Sequence, residues 1–192
     1  MESVFLFLFR TLVDFIAIVL ILRLIASHWI SGSNPIHQSI ILITNPIIRP
    51  FRSRLSKQFS IEVILISLCL LIEFFALWLM TTIICLSGPN FLQLIGLGTM
   101  NLSILVLRIF FIGILANIIL SWLSTNNFTP AARFIGQLVA PILKPIQRRL
   151  PYFSSLDFSP MIALVIIQSI IMIIPVNSVF SGVLCTNIKQ IL

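Results

Sequence analysis

The chain has 192 residues, of which 59% are hydrophobic and 9% are charged. Ordinary soluble domains contain about 45–50% apolar and about 25% charged residues, so a soluble fold could not cover its surface with so few charges. Composition therefore argues against a soluble domain and predicts an integral membrane protein. The formal net charge of +7 would suggest nucleic-acid binding in a soluble chain, but in a membrane protein the cations first indicate topology.

Four apolar segments reach the about 20 residues that a bilayer-spanning helix needs. They cover residues 4–30, 63–86, 102–122 and 161–184. No Lys or Arg precedes Arg10, so we expect the first segment to be a retained membrane helix and not a cleaved signal peptide. Residues 91–100 either extend the third helix or lie at the membrane interface, and the sequence pattern leaves both open.

One pattern of prolines and charges occurs twice, with a shift of 95 residues. Such spacing seldom recurs by chance, so we predict two repeats, residues 1–90 and 91–192. The first copy consists of Pro46, Arg49, Pro50, Arg52, Arg54 and Glu62, and the second of Pro141, Lys144, Pro145, Arg148, Arg149 and Asp157, followed by Pro160.

Most cations lie in two loops, residues 31–61 and 123–160, which two predicted spans separate. The loops are therefore on the same side of the membrane, and the positive-inside rule makes that side cytoplasmic. Both termini then face the periplasm. Each repeat contains two spans, an even number, so the repeats are expected to be parallel and not inverted.

Each loop is expected to contain a short amphipathic helix that lies flat at the cytoplasmic interface, with its apolar face toward lipid. Asn34-Pro35 and Thr129-Pro130 are typical helix starts. Pro46 and Pro141 are expected to end these helices and to leave the Pro-x-x-x-Pro segments extended. The apolar stripes are Ile36, Ile40 and Ile43 in the first helix, and Phe134, Ile135, Leu138 and Val139 in the second.

Four charged residues, Arg10, Asp14, Glu73 and Arg108, fall inside apolar segments. A charge at the bilayer centre costs about 2.5–3.5 kcal/mol even on the lenient scale, so each needs a partner or water. Arg10 and Asp14 are spaced i, i+4 and are expected to pair. We predict that Glu73 pairs with Arg108 and fixes the packing of the two repeats; the alternative is a polar path for an ion or proton.

Five further residues have structural interpretations. Arg23 is expected to extend toward the cytoplasmic headgroups, and Trp29 and Trp122 to anchor their spans at the interface. Glu62 and Asp157 each begin a span, where the helix dipole favours an acid or a loop arginine pairs with it.

No constellation of catalytic or cofactor-binding residues is present. His28 and His37 have no Cys, Asp or Glu at ligand spacing, and the second repeat has no equivalent histidine, which argues against a metal or haem. No nucleophile–base pair, Gly-rich phosphate loop or zinc motif occurs. We therefore predict no cofactor, no enzymatic activity and no nucleic-acid partner.

The chain resembles the YggT family of bacterial integral membrane proteins, in its two-repeat proteobacterial form. The resemblance rests on Leu22-Arg23, Trp29, Asn34-Pro35, residues 45–50, Ser121-Trp122, residues 141–151 and residues 157–160. It implies a location in the bacterial inner membrane and a link to osmotic-shock tolerance or to cell division and shape. It implies no established enzymatic activity, and the lack of a repeated His argues against the haem-related role of plastid and cyanobacterial relatives.

Two functions remain open from the sequence. The preferred one is a scaffold or envelope-homeostasis factor that binds anionic lipid, or a membrane or cytosolic protein, through the loop cations, with self-association also open. The alternative is a component of an ion or osmolyte transport system that uses Glu73, Arg108 and Asp14.

Overall fold

The structure is a computed structural model, and it describes residues 2–30, 32, 34–54, 60–85, 91–123, 129–149 and 158–174. Within these ranges, the side chains of residues 2, 3, 52–54, 84, 85 and 123 are not described. The described residues form an all-α chain with no strand. Its helices are α1 (Glu2–Trp29), α2 (Pro35–Arg54), α3 (Ile61–Cys85), α4 (Phe91–Leu123), α5 (Pro130–Arg149) and α6 (Ser159–Ile173).

Three of the described helices are long and apolar enough to cross a membrane, over Val4–Trp29, Ile61–Ile83 and Phe91–Trp122. The first three predicted spans therefore correspond to α1, α3 and α4. Helix α4 begins at Phe91, so residues 91–100 extend the third helix. Of the fourth predicted segment, residues 161–174 are described, and 161–173 belong to the apolar helix α6, which has 15 residues. Residues 175–184 lie outside the described part of the chain.

The core is built around α3, which packs between α1 and α4. Leu65 and Leu68 of α3 lie in one cluster with Ala17 and Leu20 of α1 and with Leu105 of α4. At Gly98 of α4, an added Cβ would meet the Phe74 ring at 2.6 Å. This glycine therefore allows the close approach of α3 and α4 that small residues provide in membrane bundles.

Helices α2 and α5 run back along the helices that precede them. Ile36 and Ile40 of α2 pack near Ile30 and Ala26, and Ile48 packs lower on α1, in the core cluster with Ala17 and Leu20. In the same way, Gly136 of α5 faces Asn117, and Val139 faces Gly113. Residue numbers rise on one helix as they fall on the other, so both pairs are antiparallel.

The prediction that these helices lie with their apolar faces on lipid is therefore wrong for most of each stripe. Phe134, Leu138 and Val139 are buried against protein, whereas Ile43 of α2 is 63% exposed. The physical reason is helix length. With 33 residues, α4 is about 50 Å long, whereas the hydrocarbon core is about 30 Å thick. Its excess length offers an apolar protein face to α5.

The predicted ends of the two loop helices at Pro46 and Pro141 are also wrong. Helix α2 continues through Pro46 and Pro50, and α5 through Pro141 and Pro145. An interior proline costs about 3 kcal/mol because it removes one backbone hydrogen bond and crowds the preceding turn. Prolines four residues apart share one helix face. The backbone hydrogen bonds that these prolines cannot make are therefore lost on one face of each helix, while Ile48 and Leu143 are buried on the opposite face.

Candidate functional site: two basic cavities and an intramembrane ion cluster

Helices α2 and α5, which carry the loop cations and are called the basic helices here, begin next to each other. The side-chain oxygen of Asn34 accepts a hydrogen bond from the Ile36 amide at 3.0 Å, and the Thr129 hydroxyl accepts one from the Ala132 amide at 3.3 Å. Both are N-cap bonds, as predicted. The Asn34 side-chain amide also donates to the Pro130 carbonyl oxygen at 3.1 Å. This bond joins the first turn of α2 to that of α5, a contact that sequence spacing does not indicate.

The cations predicted to bind lipid or a partner lie toward the C-terminal ends of α2 and α5. Arg49, Lys144, Arg148 and Arg149 are exposed. The side chains of Arg52 and Arg54 are not described, and Asp157 lies outside the described residues. Because α2 and α5 both have 20 residues and both begin and end 95 residues apart, Arg49 and Lys144 occupy equivalent positions on their helices.

The cations line two separate cavities. Lys144 and Arg148 line a cavity of about 420 Å³ together with Trp29, Gln137, Ala140, Pro141 and Pro145. Arg49 and Arg23 line a second cavity of about 400 Å³ with Asn45, Ile48 and Ile61. Both volumes fall within the about 300–1,000 Å³ typical of small-molecule sites. Of the predicted binding cations whose side chains are described, the structure brings Lys144 and Arg148 together in one cavity and places Arg49 beside Arg23 in the other, whereas Arg149 lines neither.

Arg23 does not extend to the headgroups as predicted. It is 7% exposed, and its guanidinium donates to the Thr44 hydroxyl and, at 3.4 Å, to the Ile41 carbonyl oxygen. The Thr44 hydroxyl in turn donates to the Ile40 carbonyl oxygen at 2.7 Å. Helix α2 covers Arg23 because it runs back along α1. Sequence reasoning missed Thr44 because it did not predict this antiparallel packing.

An ion cluster lies between α1 and α3. One Arg10 nitrogen, Nη2, lies 3.0 Å from Asp14 Oδ1 and 2.7 Å from Glu73 Oε1. Only the contact with Glu73 is also aligned as a hydrogen bond. The predicted Arg10–Asp14 pair is confirmed. The predicted pairing of Glu73 with Arg108 is wrong, because Arg10 of the adjacent α1 takes that place and Arg108 is exposed on α4.

Glu73 is the buried member of the cluster, whereas Arg10 and Asp14 are partly exposed, and the charges of the three do not cancel. Glu73 is 1% exposed, and Glu73 follows Ile61 by 12 residues, or about 18 Å along α3, near the middle of an about 30 Å hydrocarbon core. With ionised side chains, one cation faces two carboxylates. Glu73 Oε2 and Arg10 Nη1 are buried without a hydrogen-bond partner. A buried polar site of this kind in a membrane span is a functional candidate by default.

Two histidines and one acid lie near helix ends, with His28 at the end of α1, His37 at the start of α2 and Glu62 at the start of α3. His28 Nδ1 is 3.6 Å from Glu62 Oε1, with both side chains about half exposed or more, so this contact is worth about 0–1 kcal/mol. The described partner of Glu62 is thus a histidine of α1. His37 is buried, and neither ring nitrogen has a hydrogen-bond partner. Among the described residues, no three His, Cys, Asp or Glu side chains are grouped to hold a metal ion.

The two predicted anchoring tryptophans are both exposed. Trp29 is 53% exposed at the end of α1, and Trp122 is 84% exposed near the end of α4. Exposed aromatic rings at the ends of long apolar helices are typical of the membrane interface. Trp29 also lines the larger basic cavity, a role that its position in the sequence does not indicate.

Comparison with known proteins identifies relatives over most of the chain. The family model CCB3/YggT matches residues 97–178. The uncharacterized protein YggT of Escherichia coli K12 is 32% identical over 168 residues, which cover 85% of this chain and 85% of that protein. An uncharacterized protein of Haemophilus influenzae is 30% identical over 165 residues, covering 82% of this chain and 83% of the relative.

Another relative, an uncharacterized protein of Pseudomonas aeruginosa, is 27% identical over 142 residues, or 73% of this chain and 72% of its own length. No solved structure matches. The family model covers α5, its cavity cations and all of α6, and the Escherichia coli relative extends the similarity to most of the chain. The chain therefore belongs to the YggT family of membrane proteins.

Proposed function

We propose that this chain is a non-catalytic protein of the bacterial inner membrane that binds anionic phospholipid headgroups and acts as a scaffold in envelope homeostasis. The observation that carries the proposal is a pair of basic cavities beside α2 and α5, in which the exposed Arg49 lines one and the exposed Lys144 and Arg148 line the other. Each cation near an anionic leaflet contributes about 1 kcal/mol to attraction.

The proposed topology has four spans arranged as two parallel repeats, with the fourth completed beyond Ile173. The basic helices face the cytoplasm and both termini face the periplasm, which follows from the distribution of cations. The equal length and equal spacing of α2 and α5 support the repeat. Reporter fusions at the two termini test the topology, and a cytoplasmic signal from either terminus would contradict it.

The proposed cellular role is tolerance of osmotic downshift, with cell division or shape as the other process to which the family resemblance points. The direct test is survival after downshift in cells that carry only a variant with Arg49, Lys144, Arg148 and Arg149 all changed to Gln. Membranes of cells with the variant and of cells with the unaltered protein must contain equal amounts of it. Survival of the variant cells should then fall to that of cells without the protein. Undiminished survival would contradict the role of these cations.

The ion cluster supports a second candidate function, transport of an ion or osmolyte. It rests on the buried Glu73 carboxylate and its unpartnered oxygen between α1 and α3. Arg108 is not in this cluster, so the transport hypothesis now depends on Arg10, Asp14 and Glu73. Flux into liposomes that contain the purified protein separates the two functions. A flux that Glu73→Gln abolishes would favour transport, whereas a scaffold produces no flux with either protein.

A further inference from the structure

The larger basic cavity has walls from both halves of the chain. Trp29 comes from the end of α1, whereas Gln137, Lys144 and Arg148 come from α5. Pro141 and Pro145 complete the α5 side, and their rings give that wall little conformational freedom. The cavity is thus formed where α1, from the first half of the chain, meets α5, from the second half, and its occupant contacts both helices.

The polar side of the cavity carries two like charges. Lys144 and Arg148 are spaced i, i+4, so they lie one above the other on the same face of α5. Two cations in this arrangement repel each other. Within the described residues, neither has an acidic side chain at ion-pair distance. An anion that lies between the two side chains would relieve this repulsion.

The chemistry of the lining selects the anion. A guanidinium binds phosphate oxygens through two parallel hydrogen bonds, and an ammonium adds a point charge. The Gln137 side chain offers a further donor and an acceptor. Trp29, at the end of an apolar helix, places an aromatic ring at the depth where headgroups meet acyl chains. A phosphate that carries polar groups on one side and apolar chains on the other matches this lining.

We propose that this cavity binds the phosphodiester headgroup of one acidic phospholipid, with Lys144 and Arg148 on the phosphate and Trp29 beside it. The inference rests on the proposed lipid-binding function and deepens it, because it assigns a saturable site for a single molecule. General attraction to an anionic leaflet depends only on the number of cations. The cavity requires these two, and the bound lipid joins α1 to α5.

The test uses Trp29 as its own reporter. The chain has three tryptophans, so Trp78→Phe and Trp122→Phe leave Trp29 as the single fluorophore in the full-length protein. The purified protein in neutral detergent is titrated with short-chain phosphatidylglycerol, with short-chain phosphatidylcholine, and with inorganic phosphate. Native mass spectrometry of the same samples counts the phosphatidylglycerol molecules bound.

We expect a saturable change in Trp29 fluorescence with phosphatidylglycerol, at one molecule per chain, and none with phosphatidylcholine. Lys144→Gln and Arg148→Gln should each weaken this binding about tenfold, which corresponds to about 1.4 kcal/mol, because each removes a charge-assisted hydrogen bond to the phosphate. The matched control is Arg149→Gln, which removes the same charge from the same turn but does not line the cavity. With Arg149→Gln, the midpoint of the Trp29 titration should stay within about twofold of that of the unaltered protein. The general attraction to an anionic leaflet should fall as much as in the other two variants.

Three results would overturn the assignment. Equal weakening by all three substitutions would mean general attraction and no site. An equal response to phosphatidylcholine would mean that the phosphate charge is not the selected feature. Saturation by inorganic phosphate at the same concentration would assign the cavity to free phosphate. Failure of the site alone leaves survival after downshift dependent on the cations, whereas failure of the proposed function alone leaves the Trp29 titration intact.

Discussion

The ion cluster predicts an unequal effect of its single substitutions. Arg10 Nη2 contacts both Asp14 and Glu73, so Arg10→Met leaves two carboxylates without their shared cation. Removing one partner of a buried ion pair costs about 3–5 kcal/mol, and Glu73 is 1% exposed. We therefore expect Arg10→Met to lower the free energy of unfolding by about 3–5 kcal/mol. Glu73→Gln leaves Arg10 beside Asp14, a neutral pair, and should cost less.

The double variant Arg10→Met with Glu73→Gln is the decisive measurement for this cluster. It removes the buried charge together with its partner, so its loss of stability should be smaller than the sum of the two single losses by about 0.5–3 kcal/mol. Unfolding in mixed detergent micelles, followed by loss of helical circular dichroism, gives the free energies. Losses that simply add would refute the coupling and with it the interpretation of the cluster as a structural ion pair.

Two further predictions concern packing and can be measured by the same unfolding assay. Gly98→Ala should lower the free energy of unfolding by about 1–3 kcal/mol, because its new methyl group would lie 2.6 Å from the Phe74 ring. The control Gly96→Ala meets nothing within 4 Å and should be neutral or stabilising by up to about 1 kcal/mol. Equal effects of the two substitutions would contradict the close packing of α3 and α4. Thr44→Val keeps the methyl group but removes the hydroxyl that accepts from the buried Arg23, and should cost about 1.5–3 kcal/mol. Thr44→Ser keeps the hydroxyl and should cost less. A valine variant as stable as the unaltered protein would contradict the role of the Thr44 hydroxyl.

The sequence predicted the membrane helices well because the signal is compositional. A run of about 20 apolar residues has few alternatives in a bilayer, and the three described spans follow from it. Caps were equally predictable, since Asn34 and Thr129 act on amides two or three residues away. The Arg10–Asp14 pair also lies within one helical turn, so periodicity alone places it.

The errors concern contacts between distant parts of the chain. The sequence predicts a Glu73–Arg108 pair because both are isolated charges in spans. Pairing depends, however, on which helices are adjacent and on rotation about their axes, and α1 lies against α3 with Arg10 facing Glu73. Local sterics disfavour an interior proline and so predict helix ends at Pro46 and Pro141. The burial of Ile48 and Leu143 against neighbouring helices is a tertiary effect that local rules do not contain.

The fate of Arg23 has the same origin. A cation near a helix end is expected to reach the headgroups, and only the antiparallel return of α2 along α1 supplies Thr44 and the Ile41 carbonyl oxygen as partners. The basic cavities could not be predicted either. The larger one requires Trp29 and Lys144, 115 residues apart in sequence, in one lining. Charge composition identifies candidate cations, and packing decides which of them line the same cavity.

The most direct test of the proposed lipid-binding function is the phospholipid that the protein retains. The full-length protein and the variant with Arg49, Lys144, Arg148 and Arg149 changed to Gln are extracted from the same membranes in neutral detergent, and the acidic fraction of the co-purified phospholipid is measured. We predict that the acidic fraction exceeds that of the bulk membrane for the unaltered protein and falls to the bulk value for the variant. An unaltered protein that retains phospholipid of bulk composition would contradict the function proposed for the basic helices.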